Sequence, residues 1–394
     1  MTQTSDRIVL QQRPQRRLAI LIDGELEPFR HKTAMALLRY CPEDVVCVID
    51  DDIPGADLQE MAGVGRGVPV VASVQEALPY QPDYLVIGVA TPDGWLPEDL
   101  RQQVLQAIRS RIGIISGLHS GLATDPNIAS LACRHAVDLI DLSAGVDEEF
   151  HQIGTGAARG LGACRVVTVG TDSNLGKMTT GIQLEMWCRH VAHLRARFVA
   201  TGQNGILVKG RGIRVDRVMG DYIAGAVQDL IRRESVDMDL LLIEGQGSLL
   251  QPAFSGVCLS LLHGACPDAM ILCHHAGRTK HRYSDVAIPT VREYVDLYER
   301  MVKPLHSDAA VVAVSVNTQA LEPDAADQLM TELHEETGLA VADPVRQGDE
   351  GCRVLMDAVL AHAANTGHRI EAQPGWYRQR FDRIPPIGAR PESA

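Results

Sequence analysis

The sequence predicts an α/β chain: a first parallel-sheet domain, then a second, doubly wound domain that opens on a glycine-rich loop. Three observations carry that expectation. Short β-branched runs alternate with helical patterns along most of the chain, as in parallel strands joined by crossover helices. Runs such as Asp239-Leu-Leu-Leu-Ile-Glu244 are apolar throughout, which suits strands covered on both faces. Gly170-Thr-Asp-Ser-Asn-Leu-Gly-Lys177 stands between one such strand and a helix.

The first domain is expected over 18–150, after a polar lead, 1–17, that lacks an apolar signal core. Leu18 to Asp23 reads as its first strand, ending in an acid, and Lys32 to Tyr40 has helical spacing. Val45 to Ile49 is a second strand, closed by Asp50-Asp51-Asp52, and Val68 to Val71 is a short third. Tyr84 to Ala90 is a strong strand, followed by a helix from Glu98 to Arg109. Ile112 to Ser116 and Val137 to Leu142 complete the series. Four glycines, at 154, 156, 160 and 162, mark a linker over 151–162. The second domain, 163–372, begins with the strand Val166 to Val169 and a helix from Met178 to Val191. Its later strands are Ala196 to Thr201, Leu240 to Glu244, Ala269 to Cys273 and Ala309 to Asn317. A tail rich in Pro and Arg, 373–394, is expected on the surface.

Composition narrows the function classes. Aromatic residues make up only 4%, so Ala, Val, Leu and Ile must supply most of the core. A net charge of −13 argues against general nucleic-acid binding, although local Arg and Lys clusters can still hold an anionic small molecule. The nine cysteines form no CxxC pair, and several lie in apolar runs, so buried free thiols in a reducing cytoplasm are expected. No apolar run is long enough to span a membrane.

The glycine loop carries the chemistry. Glycines let backbone N–H groups converge on an anion, Lys177 adds positive charge, and the new helix adds the positive end of its dipole. Gly170, Thr171, Asp172, Gly176, Lys177, Thr179 and Thr180 are therefore the candidate cofactor-binding residues, for a nucleotide or another phosphorylated cofactor. The common P-loop has four residues between its glycines and a hydroxyl directly after the lysine. Here five intervene, Met178 follows the lysine, and the hydroxyls come later, at Thr179 and Thr180. That opening is similar to the loop of dethiobiotin synthetase, which forms bonds at carboxylates or carbamates with ATP.

Ligands in open parallel sheets sit at the carboxyl ends of strands. There Glu244, with Asp216 or Asp221, is the candidate carboxylate pair for Mg²⁺, and the alternative for Glu244 is a capping or salt-bridged carboxylate. Asn317 either contacts a nucleotide base or closes a turn. His274 and His275 are adjacent and cannot both point one way on an extended chain, so a His-His metal pair is disfavoured. Either ring is a candidate general base, with Arg278 or Lys280 as a carboxylate clamp, against a structural role for the same residues. His263 is a lesser candidate. Asp23 and Asp50 end strands as in dinucleotide-binding domains, but the turn after Ile22 has one glycine and no GxGxxG, which disfavours an NAD-dependent dehydrogenase.

Taken together, these segments resemble the bacterial DUF1611 family. The matching stretches are His31-Lys-Thr-Ala34, Leu37-Leu-Arg-Tyr40, Leu85 to Ala90, Ser116-Gly-Leu-His119, Gly170-Thr-Asp172 and Gly176-Lys-Met-Thr-Thr180. They continue with Thr201-Gly-Gln203, Gly210-Arg-Gly212, Glu244 to Leu249, Pro252 to Gly256, Leu261-Leu-His-Gly264 and Gly277-Arg278. The resemblance runs from about residue 18 to residue 365, and departs at Ser173-Asn174-Leu175, where the family pattern has Cys-Ala-Val. It implies a Rossmann-like domain joined to a P-loop NTPase-like domain. It also implies an acetyl-CoA-dependent N-acetyltransferase acting on D-glutamate, working beside an enolase-superfamily enzyme in D-amino-acid breakdown. A P-loop can hold the phosphates of CoA as readily as those of ATP. A soluble, cytoplasmic homo-oligomer is expected. The competing readings are an ATP- and Mg²⁺-dependent ligase or kinase acting on a small carboxylate, and a nucleotide-sensing regulatory module.

Overall fold

The computed structural model describes residues 16–27, 30–91, 94–142 and 151–374. The polar lead up to residue 15 and the tail from 375 lie outside the described residues. The chain divides into two compact units, one of residues 1–149 with 203–217, the other of 150–202 with 218–394. Each contains one six-stranded sheet.

In the first unit the strands are β1 (Leu18–Leu21), β2 (Val45–Ile49), β3 (Val70–Val71), β4 (Tyr84–Ile87), β5 (Gly113–Ser116) and β6 (Leu139–Asp141). They pair in parallel in the order β3-β2-β1-β4-β5-β6, a Rossmann-like arrangement. β1 is central and buried at every residue, which its continuous apolar run requires. Gly88 closes β4 against β1: a Cβ there would stand 2.7 Å from Ile20 Cγ2 and 2.8 Å from the Leu21 carbonyl. Helix Glu98–Arg109 buries Leu100, Val104 and Ile108. Helix Pro126–His135 starts with proline at its first position, capped by Asp125, which accepts the Asn127 and Ile128 N–H groups. Helix Gln203–Lys209 also belongs to this unit, although it comes from within 163–372.

The second unit holds β7 (Cys164–Gly170), β8 (Ala196–Val199), β9 (Leu240–Ile243), β10 (Ala269–His275), β11 (Ala310–Asn317) and β12 (Ala340–Ala342). Their parallel order is β12-β11-β10-β7-β9-β8, so β7 lies between β9 and β10. All seven residues of β7 are buried, and Val166, Leu184, Leu242, Ile271, Leu355 and Val359 share one core. At the amino end of the sheet the buried Arg165 guanidinium donates to Asp268 Oδ1 at 2.7 Å, while its backbone N–H meets Oδ2 at 2.7 Å. β10 runs two residues past the expected end at Cys273, pairing His274 with Val316 and His275 with Asn317. β12 and the helices Pro323–Thr337 and Asp349–Asn365 complete the unit beyond the expected elements. Among the described residues no helix is long and apolar enough to cross a membrane.

Candidate functional site

β7 ends at Gly170, and helix Lys177–His190 begins directly after Gly176. Between them the backbone turns through Gly176 at φ +110°, a left-handed conformation that favours glycine. A Cβ on Gly170 would stand 3.1 Å from Lys177 Nζ, so glycine leaves room for the ammonium. Gly245, after β9, passes still closer: its Cβ would lie 1.8 Å from the Thr168 carbonyl and 3.4 Å from Lys177 Cδ. Lys177 is buried, which pushes its pKa down, and Nζ donates to the Asp172 carbonyl at 2.8 Å. Tyr298 Oη braces the strand end by donating to the Gly170 carbonyl at 2.7 Å.

Asp172 is fully buried within the loop. Its Oδ2 accepts from Arg278 NH1 at 3.1 Å and from the Arg282 N–H at 2.8 Å. Arg278 NH1 also donates to the Ser173 carbonyl at 2.7 Å. Among the described residues Asp172 Oδ1 has no hydrogen-bond partner; it faces His281 Nδ1 at 3.5 Å, and His281 Nε2 meets Tyr294 Oη at 3.2 Å. Asp172 therefore ties the 278–282 segment to the loop. Arg278, expected as a carboxylate clamp, places its NH1 on this anchor.

The hydroxyls divide by direction. Thr171 Oγ1 reaches His274 Nδ1 at 3.0 Å. Thr180 Oγ1 turns into the sheet and bonds Ser315 Oγ at 2.8 Å, which commits it to packing. Thr179 stays half-buried in the first turn of the helix. Burial, followed by the charges of His275 and Arg278, pushes His274 down to about 4, so its ring is neutral at physiological pH. His275 Nδ1 lies 2.7 Å from the Ala276 carbonyl. A carbonyl only accepts, so Nδ1 carries a hydrogen and donates it.

Glu244 Oε2 accepts the N–H groups of Thr201 and Gly202 at 3.0 and 3.1 Å, the capping alternative for this carboxylate. Asp221 lies in the short turn Gly220–Tyr222, and Asp216, in the first unit, is paired with Arg214. Two groups of three clustered metal-capable side chains occur among the described residues, Asp50-Asp51-Asp52 and Cys164-Asp268-His368, and neither includes these acids. Met178 stands at the usual hydroxyl position, Thr180 is engaged with Ser315, and Glu244 holds the backbone after β8. Asn317 Oδ1 accepts the Gln319 N–H at 3.0 Å and so closes a turn after β11. His263 bonds the Met301 carbonyl, and Lys280 forms a bridge with Ala287. Tyr294 and Tyr298 escaped the sequence reading; their four-residue spacing on helix Val291–Val302 was the available signal.

Residues 152–353 match the family model described as the DUF1611 C-terminal P-loop domain, and residues 51–144 match the DUF1611 N-terminal Rossmann-like domain. A protein from Tritonibacter scottomollicae named D-glutamate N-acetyltransferase is 35% identical over 333 residues, covering 84% of this chain and 94% of that protein. Another of the same name, from a Pseudoalteromonas species, is 34% identical over 278 residues, covering 70% of this chain and 82% of its own length. The crystal structure of a DUF1611 family protein from Anabaena variabilis superposes with a TM-score of 0.81 at 36% identity, covering 88% of this chain and 99% of that one.

Proposed function

This chain belongs to the DUF1611 family, and from that premise we propose that it transfers acetyl from acetyl-CoA to the amino group of a small acidic amino acid such as D-glutamate. The observation that carries the reading is a neutral histidine, His274, hydrogen-bonded to a phosphate loop that has Met178 where a metal-binding hydroxyl would stand. The loop N–H groups, Lys177 and the helix behind them hold the CoA phosphates. Acetyl-CoA supplies an activated carbonyl. In the transfer a C–N bond forms, the thioester C–S bond breaks, the amine gives up one proton and the sulfur gains one. His275 Nε2, or His274, takes the amine proton. Arg278 keeps the loop in shape through Asp172.

Free-thiol release from acetyl-CoA tests this directly. Release is expected with D-glutamate, without ATP or Mg²⁺, and is lost in Lys177→Ala. No release with any amino acid would sink the reading.

A second reading draws on Glu244, which directly follows β9, the neighbour of the strand that leads into the lysine-bearing loop. An ATP-dependent ligase or kinase would form ADP or AMP only with its carboxylate substrate and Mg²⁺, and would lose that activity in Glu244→Gln.

A further inference from the structure

β7 leads into the phosphate loop at one end, and a second polar cluster lies at its other end, wholly within the second unit. Asp268, just before β10, is buried beside Cys164, the first residue of β7. Its carboxylate collects more donors than an ion pair with Arg165 needs. Arg165 engages both oxygens, through NH2 to Oδ1 and through its backbone N–H to Oδ2, each at 2.7 Å. His306 Nε2 reaches Oδ1 at 2.8 Å, and His368 Nε2 lies 3.2 Å from the same oxygen. His306 comes from the connection after helix Val291–Val302, and His368 from the chain after helix Asp349–Asn365. Three separate segments thus bring two imidazoles and a guanidinium to one buried oxygen.

Cys164 completes the donor set. Its Sγ, an Asp268 oxygen and a His368 ring nitrogen all lie within 4.8 Å of one another. Donor atoms around a tetrahedral Zn²⁺ with bonds of about 2.0–2.3 Å stand about 3.3–3.8 Å apart. The spacings of 2.8 and 3.2 Å from Asp268 Oδ1 to the two rings need only a small opening to meet that geometry. A thiolate and imidazoles beside one carboxylate suit Zn²⁺, whereas Mg²⁺ and Ca²⁺ take oxygen ligands. Arg165 also donates to the carbonyls of Cys266, Leu161 and Ala163, which disperses its charge while it fixes the carboxylate from behind. The His306 and His368 side chains are 20% and 15% exposed, which leaves an ion a way in from solvent. β7 has seven residues, so the cluster stands about 20 Å from Gly170 and is separate from the loop.

We propose that Cys164, Asp268 and His368, with His306 as the fourth donor, form a structural zinc site at the amino end of the second sheet. Binding exchanges protons for the ion and involves no redox change. Burial pushes the Cys164 thiol up to about 12, so the thiol is neutral and gives up one proton as the S–Zn bond forms. A carboxylate only accepts, so each Nε2 carries a hydrogen toward Asp268. Zn²⁺ takes that position, and the hydrogen of each neutral ring moves to Nδ1. The ion joins the chain after helix Asp349–Asn365, and the connection that carries His306, to the starts of β7 and β10. The site does not depend on the acetyl-transfer reading.

Zn²⁺ itself is the probe. The full chain is stripped with a chelator and titrated with Zn²⁺ against a chromophoric competitor. One equivalent is expected to bind with a Kd tighter than about 1 μM. Co²⁺ in its place should show the charge-transfer absorption of a thiolate–cobalt bond. Cys164→Ser should abolish that band, and Cys164→Ser and His368→Ala should each weaken Zn²⁺ binding at least about tenfold. Both variants should also lose the rise in Tm that Zn²⁺ gives the wild type. An unchanged near-UV circular dichroism spectrum without metal shows that they fold. Asp268 is left in place, because its loss would strand the buried Arg165 charge. Three results would overturn the site: no binding tighter than about 1 μM, binding that survives both substitutions, as at the exposed Asp51 and Asp52, or a Co²⁺ form without the thiolate band. The Co²⁺ spectrum is read on the wild type, so it decides the site even where a variant fails to fold.

Discussion

His274 shows how far one residue's chemistry depends on its neighbours. A histidine after a strand was legible as a candidate base, but its protonation state was not, because burial and the nearby His275 and Arg278 charges determine it. The folded ring titrates near 4 against about 6.5 in an unfolded chain. Between those values the unfolded chain binds a proton that the folded chain refuses. The stability held by the neutral ring is therefore fully present above about pH 6.5 and falls as the pH drops toward 4. Lowering the pH from 7 to 5 should remove about 2 kcal/mol through this residue. Urea unfolding at both pH values checks it: the loss should shrink by that amount in His274→Gln, and an unaltered loss contradicts the assignment. Directions of other side chains were equally hidden from the sequence. Thr180 looked like a ligand hydroxyl, and only the neighbouring β11 shows that it faces Ser315.

Elements were legible where a long apolar run made the pattern unambiguous. β7, β9 and β10 were found for that reason, and the loop between β7 and its helix came with them. β12 has only three residues, too few for a period to register, and the only apolar run in the hairpin-like 278–288 segment is the short Val286-Ala287-Ile288. That segment is ordered from outside, by Asp172 reaching Arg278 and the Arg282 N–H. Asp172→Asn keeps the size of the side chain and removes its charge, leaving Arg278 without its ion-pair partner in the loop. Breaking such a buried pair should destabilise the fold by about 3 kcal/mol. Hydrogen exchange locates the effect: amides of 278–288 should exchange faster, with those of helix Asp349–Asn365 little changed. Equal acceleration in both would mean that Asp172 supports the whole unit rather than this segment.

At the scale of the molecule, the two parallel sheets follow from alternating strands and helices, but the division of the chain between them does not. Residues 203–217 carry no change of composition or period, and a continuous second domain over 163–372 was the simplest reading. The contacts group this stretch with the first unit. Helix Gln203–Lys209 packs on helix Lys32–Tyr40, the Leu207 carbonyl accepts from Arg16 NH1 at 3.0 Å, and Arg214 is buried against Gly117 and Asp216. Burial of Ile206 and Leu207 gives the segment an apolar stake in that unit. Its stability should therefore track the first unit, although its neighbours in sequence belong to the second. Ile20, buried in β1, provides the lever: Ile20→Ala removes core contacts and should weaken the first unit by about 2–5 kcal/mol. Under native conditions the amides of 203–209 should then exchange faster, while those of helix Lys177–His190 keep their wild-type rates. If 203–209 instead keeps the rates of 177–190, the segment answers to the second unit and the grouping by contacts fails.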